Sequence, residues 1–300
     1  MKLIALDLDG TTLDTKKEIS NETIRVIKKA QQQGHIVMIL SGRAPSSINA
    51  ELNKYGLNCP IGGHNGTAIF VDGKLLELNS LGCPQVQKLA LEIEKESVPY
   101  NISTNKGIFA PRDWNERFER VISSGRIPEE YFENRHYKMF TTSPHLYGHS
   151  FFDHVDEIIQ DKEFTVQKFL ILCLDPEQKK RLQLRLNLID ETFVTGSSPF
   201  NLEVTHINGN KGYGLKVMAS HFNIPLENTV AIGDEKNDIP MFNVAGLSIS
   251  MGNSEEEVKR HSDVVTLSND ENGVAYAIEK YILRESTVLY GDSFNPKFKK

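Results

Sequence analysis

Leu3-Ile-Ala-Leu-Asp-Leu-Asp-Gly-Thr11 is the stretch on which the reading of this chain turns. A short, continuous apolar run is the pattern of a strand covered on both faces, and parallel sheets are built from such strands. The run ends at Asp7 and Asp9, which places two carboxylates where a buried strand stops. Downstream, Ser20 reads as a helix N-cap, with Ile19 and Ile24 spaced to form a hydrophobic staple. Ile24, Ile27 and Ala30 form the inward stripe of that helix, and Gly34 suits a left-handed cap at its end. His35-Ile-Val-Met-Ile-Leu40 is a second buried strand, and it stops at Ser41-Gly42-Arg43. Strand, helix, strand is a βαβ unit, which implies a parallel sheet.

The same rhythm resumes after Asn208. A helix is expected over Leu215–Phe222, a buried strand over Thr229–Gly233 ending at Asp234, further strands over Gly246–Met251 and Asp263–Leu267, and a last helix over Val274–Leu283. The middle of the chain is different. Pro84–Ser97 has a helical pattern and Thr165–Leu174 a strand pattern. Asp175-Pro176-Glu177-Gln178 then reads as an N-cap, a first-turn proline and a capping-box glutamine. Short strands are expected at Thr192–Thr195 and Leu202–Thr205, whereas residues 101–162 show no clear period. The expectation is an α/β fold: a doubly wound parallel sheet from residues 1–82 and 207–300, with an α+β unit inserted at 83–206. Residues 285–300 are polar and aperiodic and read as a loosely held tail.

The chain has 300 residues, enough for about two domains. With 34 basic against 40 acidic residues, a net charge of −6, it has no basic excess with which to hold nucleic acid or an anionic membrane. No segment approaches the roughly 18 apolar residues of a membrane span. The three cysteines are far apart with no CxxC pair, which fits a reducing cytoplasm and argues against a cysteine zinc site.

Polar groups gather where apolar strands stop: Asp7 and Asp9, then Ser41, then Asp234. In open parallel sheets ligands bind outside the carboxyl ends of the strands, so these clusters would converge. Helix caps and turns use the same residue types, and Ser41-Gly42-Arg43 alone would be read that way. Asp7-Leu-Asp-Gly-Thr11 taken with Gly233-Asp-Glu-Lys-Asn-Asp238 is more specific. Together with Ser41-Gly-Arg43 and Asn210-Lys-Gly212, the chain resembles the haloacid dehalogenase superfamily, and within it the Cof-type phosphatases with a large inserted cap. Gly63-His-Asn-Gly66, Met251-Gly-Asn253 and Asn272-Gly-Val-Ala275 are secondary matches, and Thr12 stands where the family usually has leucine.

The resemblance implies a phosphatase in which Asp7 is the nucleophile and Asp9 the general acid and base. A carboxylate can attack a phosphomonoester once a cation screens the phosphoryl oxygens, and water can then cleave the acyl phosphate. An all-oxygen site with few carboxylates suits Mg2+. The ligands implied are Asp7, Asp234 and the backbone carbonyl of Asp9, with Asp238 standing behind them. Lys211, Ser41, Asn237 and the amides of Leu8 and Gly42 are the groups for the transferred phosphate. Asp9 as an acid calls for a raised pKa, which crowding by other carboxylates would supply.

The substrate expected is a small phosphorylated metabolite such as a sugar phosphate, handled by a monomer or homodimer in the cytoplasm. A phosphomutase of the phosphomannomutase type would use the same aspartates. A sugar-phosphate-sensing regulator would have lost some of them. Arg112, Trp114, Arg135 and Tyr137 are candidates for substrate contact in the insert, although cap core and surface would account for them as well. His145, His149 and His154 lack an HExxH pattern and read as cap surface rather than zinc ligands.

Overall fold

The computed structural model describes residues 1–134 and 136–283. Arg135 and the expected tail at 285–300 therefore lie outside the described residues.

Two sheets organise the molecule. Across the larger, the strands run Val264–Val265, Leu247–Ser250, Thr229–Gly233, Leu3–Leu6, Ile36–Leu40, Ile61–Gly63, Ala68–Val71 and Lys74–Leu78. The first six are parallel, and the last two form antiparallel pairings at one edge. Leu3–Leu6 is central and wholly buried. Ile4 and Leu6 face one apolar layer with Val26, Ile27 and Ala30. Leu3 and Ala5 face the other, with Leu215, Met218 and Ala219. Helices cover both faces, which is the physical reason for the unbroken apolar runs.

The helix Asn21–Gln32 starts where Ser20 accepts a hydrogen bond from the Thr23 amide, 3.1 Å. It ends where Gly34, at φ +81°, lets the His35 amide reach back to the Ala30 carbonyl, 3.0 Å.

The smaller sheet runs Thr192–Thr195, Asn201–His206, Val166–Leu172, Tyr100–Thr104, Gly107–Pro111 and Ser150–Phe152. Its pairs are antiparallel except the last. Asp175 caps the helix Pro176–Leu186 as expected. The expected capping box is absent, however: the Gln178 side-chain Nε2 donates to the Glu96 carbonyl, 2.9 Å, and ties two helices together instead.

Strand alternation gives this sheet two unlike faces. Tyr100, Ile102, Phe169, Ile171, Leu202 and Val204 enter an apolar cluster with the helices Cys83–Glu96 and Pro176–Leu186. Asn101, Ser103, Lys168, Leu170 and Glu203 line a cavity of about 510 Å³, opposite Asp7, Asp9, Ser41, Gly42 and Asn237 of the larger sheet.

Candidate active site

The strand Leu3–Leu6 leads directly into Asp7, whose amide still pairs with the Ile232 carbonyl at 2.9 Å. Thr12, the departure from the resemblance, donates its hydroxyl to the Asp7 carbonyl at 2.5 Å and so braces the turn. Lys211 opens the helix Lys211–His221, capped by Asn210 through the Tyr213 amide. Its side chain is fully buried, and Nζ donates to Asp7 Oδ1 and Asp238 Oδ1, both at 2.5 Å. The other Asp238 oxygen accepts from the amides of Asp234 (2.8 Å) and Glu235 (2.9 Å). A side chain at Gly233 would collide with that carboxyl, which explains the glycine. Asp234 accepts from the Thr11 hydroxyl at 2.8 Å.

Asp7, Asp234 and Asp238 each offer an oxygen within 4.8 Å of the others. Burial, above all, pushes the Asp7 carboxyl well above the usual carboxylate range; Lys211 opposes this, and Asp238 and Asp234 add to it. Burial alone would strip Lys211 of its proton, but Asp238 and Asp7 hold it in the charged form. Asp7 and Asp238 thus share one ammonium, with the buried Asp234 carboxylate beside them. The remaining negative charge and the all-oxygen donors are what a hard divalent cation requires, so the residues present fit Mg2+. The cap histidines do not join a metal cluster among the described residues. His145 stacks on Phe151, and His149 lines the cavity.

Asp9 departs from expectation. Burial raises its pKa, yet two 2.7 Å hydrogen bonds from Arg43, backed by Lys17 at 3.0 Å, outweigh burial and lower it to about 2. The crowding by carboxylates invoked from the sequence falls on Asp7 instead. Ser41 is buried, and its hydroxyl accepts from the Arg43 amide at 3.2 Å. Asn237 donates Nδ2 to Asn65 at 3.2 Å and has a buried, unpartnered Oδ1.

Three of the expected substrate contacts, Arg112, Trp114 and Tyr137, lie away from the cavity. Arg112 is exposed and paired with Asp153 at 3.0 Å. Trp114 is buried against Phe118, with ring centroids 5.5 Å apart, because a large apolar ring is worth most inside a core. Tyr137 packs edge-on against Phe200. None of the three lines the cavity. The smaller sheet and the segments beside it instead supply Asn101, Ser103, His136, Tyr147, His149, Lys168, Ser197 and Glu203 to its wall. Lys168 and Glu203 had a signal in the sequence: a charge inside each of two apolar strand patterns, Val166-Gln-Lys-Phe-Leu170 and Leu202-Glu-Val204. His64 was quoted only within a motif; it is buried, lines the cavity, and its Nδ1 has no partner.

A parallel sheet with buried carboxylates at its strand ends, a buried lysine between two of them and a cavity in front suits a hydrolase of the phosphoryl-transfer type. Residues 4–278 match the model of the haloacid dehalogenase-like hydrolases, and the chain belongs to that family, in its Cof-type branch. It is 29% identical over 286 residues to the phosphatase YwpJ of Bacillus subtilis, covering 93% of this chain and 99% of that one. It is 31% identical over 291 residues to the 5-amino-6-(5-phospho-D-ribitylamino)uracil phosphatase YwtE of the same organism, covering 94% and 98%. The solved structure of a haloacid dehalogenase-like hydrolase from B. subtilis superposes with a TM-score of 0.80 at 28% identity, covering 94% of this chain and all of that one. These relatives place the chain among the phosphatases of the family. Among the described residues, no helix is long and apolar enough to cross a membrane.

Proposed function

We propose that the chain hydrolyses a small phosphorylated metabolite through an aspartyl phosphate on Asp7. The observation that carries this reading is the buried Asp7 carboxylate, at a strand end, held at 2.5 Å by Lys211 and open to the cavity. Asp7 attacks phosphorus as the ester P–O bond breaks, and the leaving oxygen takes a proton from Asp9. Water then attacks phosphorus, gives a proton back to Asp9, and the Asp7–phosphorus bond breaks to release inorganic phosphate. Lys211, Ser41, Asn237 and the amides of Leu8 and Gly42 bind the phosphoryl oxygens throughout. Asp7, Asp234 and the Asp9 carbonyl would hold Mg2+, with Asp238 fixing the Asp234 loop behind them. When bound, the ion supplies charge that lets an anionic carboxylate approach an anionic phosphate.

Residues 83–206 act in this reading as a lid inserted between core segments 1–82 and 207–300, since they build the separate sheet that roofs the cavity. The test is a panel of sugar phosphates, nucleotides and a phosphoribitylamino-pyrimidine, the substrate named for YwtE, assayed for phosphate release with and without magnesium. Inorganic phosphate is the expected product. An isomeric phosphate ester would instead show a mutase, and no turnover of any ester by the wild type would leave only sensing. Turnover unaffected by EDTA would remove the magnesium assignment.

A further inference from the structure

Glu203 lies in the smaller sheet and is buried, with four donors around its two oxygens. Oε2 accepts from Asn65 Nδ2 at 2.6 Å and Lys168 Nζ at 3.3 Å; Oε1 accepts from the Ser197 hydroxyl at 2.8 Å and Asn201 Nδ2 at 3.3 Å. A carboxylate has about four lone-pair sites, so this one has none left for a substrate although it borders the cavity.

Two of its partners reach into the larger sheet. Asn65 passes the contact on, its Oδ1 accepting from Asn237 Nδ2 at 3.2 Å. Lys168 donates to the Gly42 carbonyl at 2.9 Å. Asn65 is itself fixed: its backbone is left-handed, φ 63°, and its amide bonds the Ser41 carbonyl at 2.8 Å. A side chain at Gly42 would press on Asn65 Oδ1 at 3.2 Å, so the two loops interlock. A buried ion pair such as Lys168–Glu203 is weak evidence for stability, because desolvation cancels most of its attraction, and its value lies in fixing an arrangement. Lys168 and the hydrogen bonds from Asn65 and Ser197 keep Glu203 ionised against burial, the largest influence on it.

We propose that Glu203 and Lys168 are positioning residues for the phosphate site: from the cap sheet they fix Asn237 through Asn65 and the Ser41-Gly42 loop through its carbonyl, so the phosphate cradle is set only while the cap sheet is seated. This rests on the reading that Gly42 and Asn237 hold the phosphate. It separates the pair from substrate-contacting residues, since its effect is felt by phosphate itself, before any leaving group is considered.

The test is calorimetric titration of the full chain with inorganic phosphate in magnesium. The double variant Lys168→Met/Glu203→Leu removes both charges together and avoids stranding one. Its phosphate affinity is expected to fall between about tenfold and a hundredfold, with a similar loss of kcat/KM on every ester. Lys168→Met/Glu203→Gln, which keeps an acceptor for Asn65 but not the bond to Gly42, recovers the part of the loss that runs through Asn65. Asn65→Gly, which keeps the left-handed backbone and cuts the route through Asn65 while leaving the Lys168 bond to Gly42, gives part of the leucine variant's loss and decides the matter if that variant does not fold. Unchanged phosphate affinity in Asn65→Gly, or a loss confined to particular leaving groups, overturns the inference. A wild type that does not bind inorganic phosphate overturns the underlying site reading, and this inference with it.

Discussion

Arg43 holds Asp9 through two hydrogen bonds of 2.7 Å, Nε to Oδ2 and Nη2 to Oδ1. Both side chains are about three-quarters buried, and the pairing lowers the Asp9 pKa to about 2 against the pull of burial. Asp9 is therefore ionised, and in the proposed role of acid it must loosen from Arg43 before it can carry a proton.

A carboxyl lowered on folding stabilises the fold at pH above its unfolded value near 3.9, and that contribution disappears as pH falls through about 2. Arg43→Ala should accordingly cost up to roughly 2 kcal/mol at pH 7 in metal-free buffer, shrinking toward zero near pH 2. Urea unfolding across this range checks it. A stability difference independent of pH would show that Arg43 acts through packing alone.

Lys211 and Asp7 should respond in opposite ways. Lys211→Met leaves Asp7 and Asp238 without the ammonium to which both are bonded, so it is expected to destabilise the metal-free protein by about 3–5 kcal/mol and to lower turnover at least about a hundredfold. Asp7→Asn removes one of the crowded carboxylates and keeps the shape. Turnover should vanish while the melting temperature in EDTA stays level or rises, because Asp7 is already pushed toward its neutral form. A marked drop in melting temperature for Asp7→Asn contradicts this electrostatic account.

His64 has its pKa lowered to about 3, by burial first and then by the Lys168 ammonium. The unfolded chain takes up a proton below about pH 6.5 that folded His64 refuses, so stability should fall as pH drops from about 6.5 toward 3, by roughly 1.4 kcal/mol per unit. Asn tolerates the left-handed backbone there, φ 49°, so His64→Asn is a fair control. Between pH 7 and pH 5 the wild type should lose roughly 2 kcal/mol more than this variant. Equal losses would mean that His64 is protonated in the folded state.

The parallel sheet was readable because strands buried on both faces have no polar alternation to obscure them, as in Leu3–Leu6 and Thr229–Gly233. The grouping of Asp7, Lys211 and Asp234 was readable because each sits in a short motif, two at strand ends and Lys211 at a helix start. The smaller sheet was not. Its cavity face carries polar and charged groups that ordinarily face solvent, yet Lys168 and Glu203 are both buried. Trp114, conversely, drew notice as an aromatic and turned out to be packing. The ion pair of Asp9 with Arg43 depends on a contact 34 residues away in sequence, which motif spacing does not encode.

The leaving group should be read by a different set of cap residues from those that hold the phosphate. Asn101 and Ser103 are two apart on one strand, so both face the cavity, and Asn101 Oδ1 is buried without a partner. His149 Nδ1, on the wall with Tyr147 stacked beside it, is likewise unpartnered, and burial keeps this imidazole's pKa low. A buried acceptor with nothing to accept costs free energy that a ligand hydroxyl or N–H recovers, which is how polar cavities select ligands. Asn101→Leu removes the unmet acceptor and should fold at least as stably as the wild type. It should raise KM about tenfold for the preferred substrate, while leaving the affinity for inorganic phosphate unchanged. Arg112→Ala, on the exposed face and paired with Asp153, should alter neither. Phosphopeptides should turn over more slowly than small esters, because a roofed cavity of about 510 Å³ leaves little room for a chain. Steady-state kinetics on three esters of different size, set beside phosphate titration, separates the outcomes. If Asn101→Leu shifts KM equally for every ester, or Arg112→Ala changes preference among them, the cavity wall does not choose the substrate.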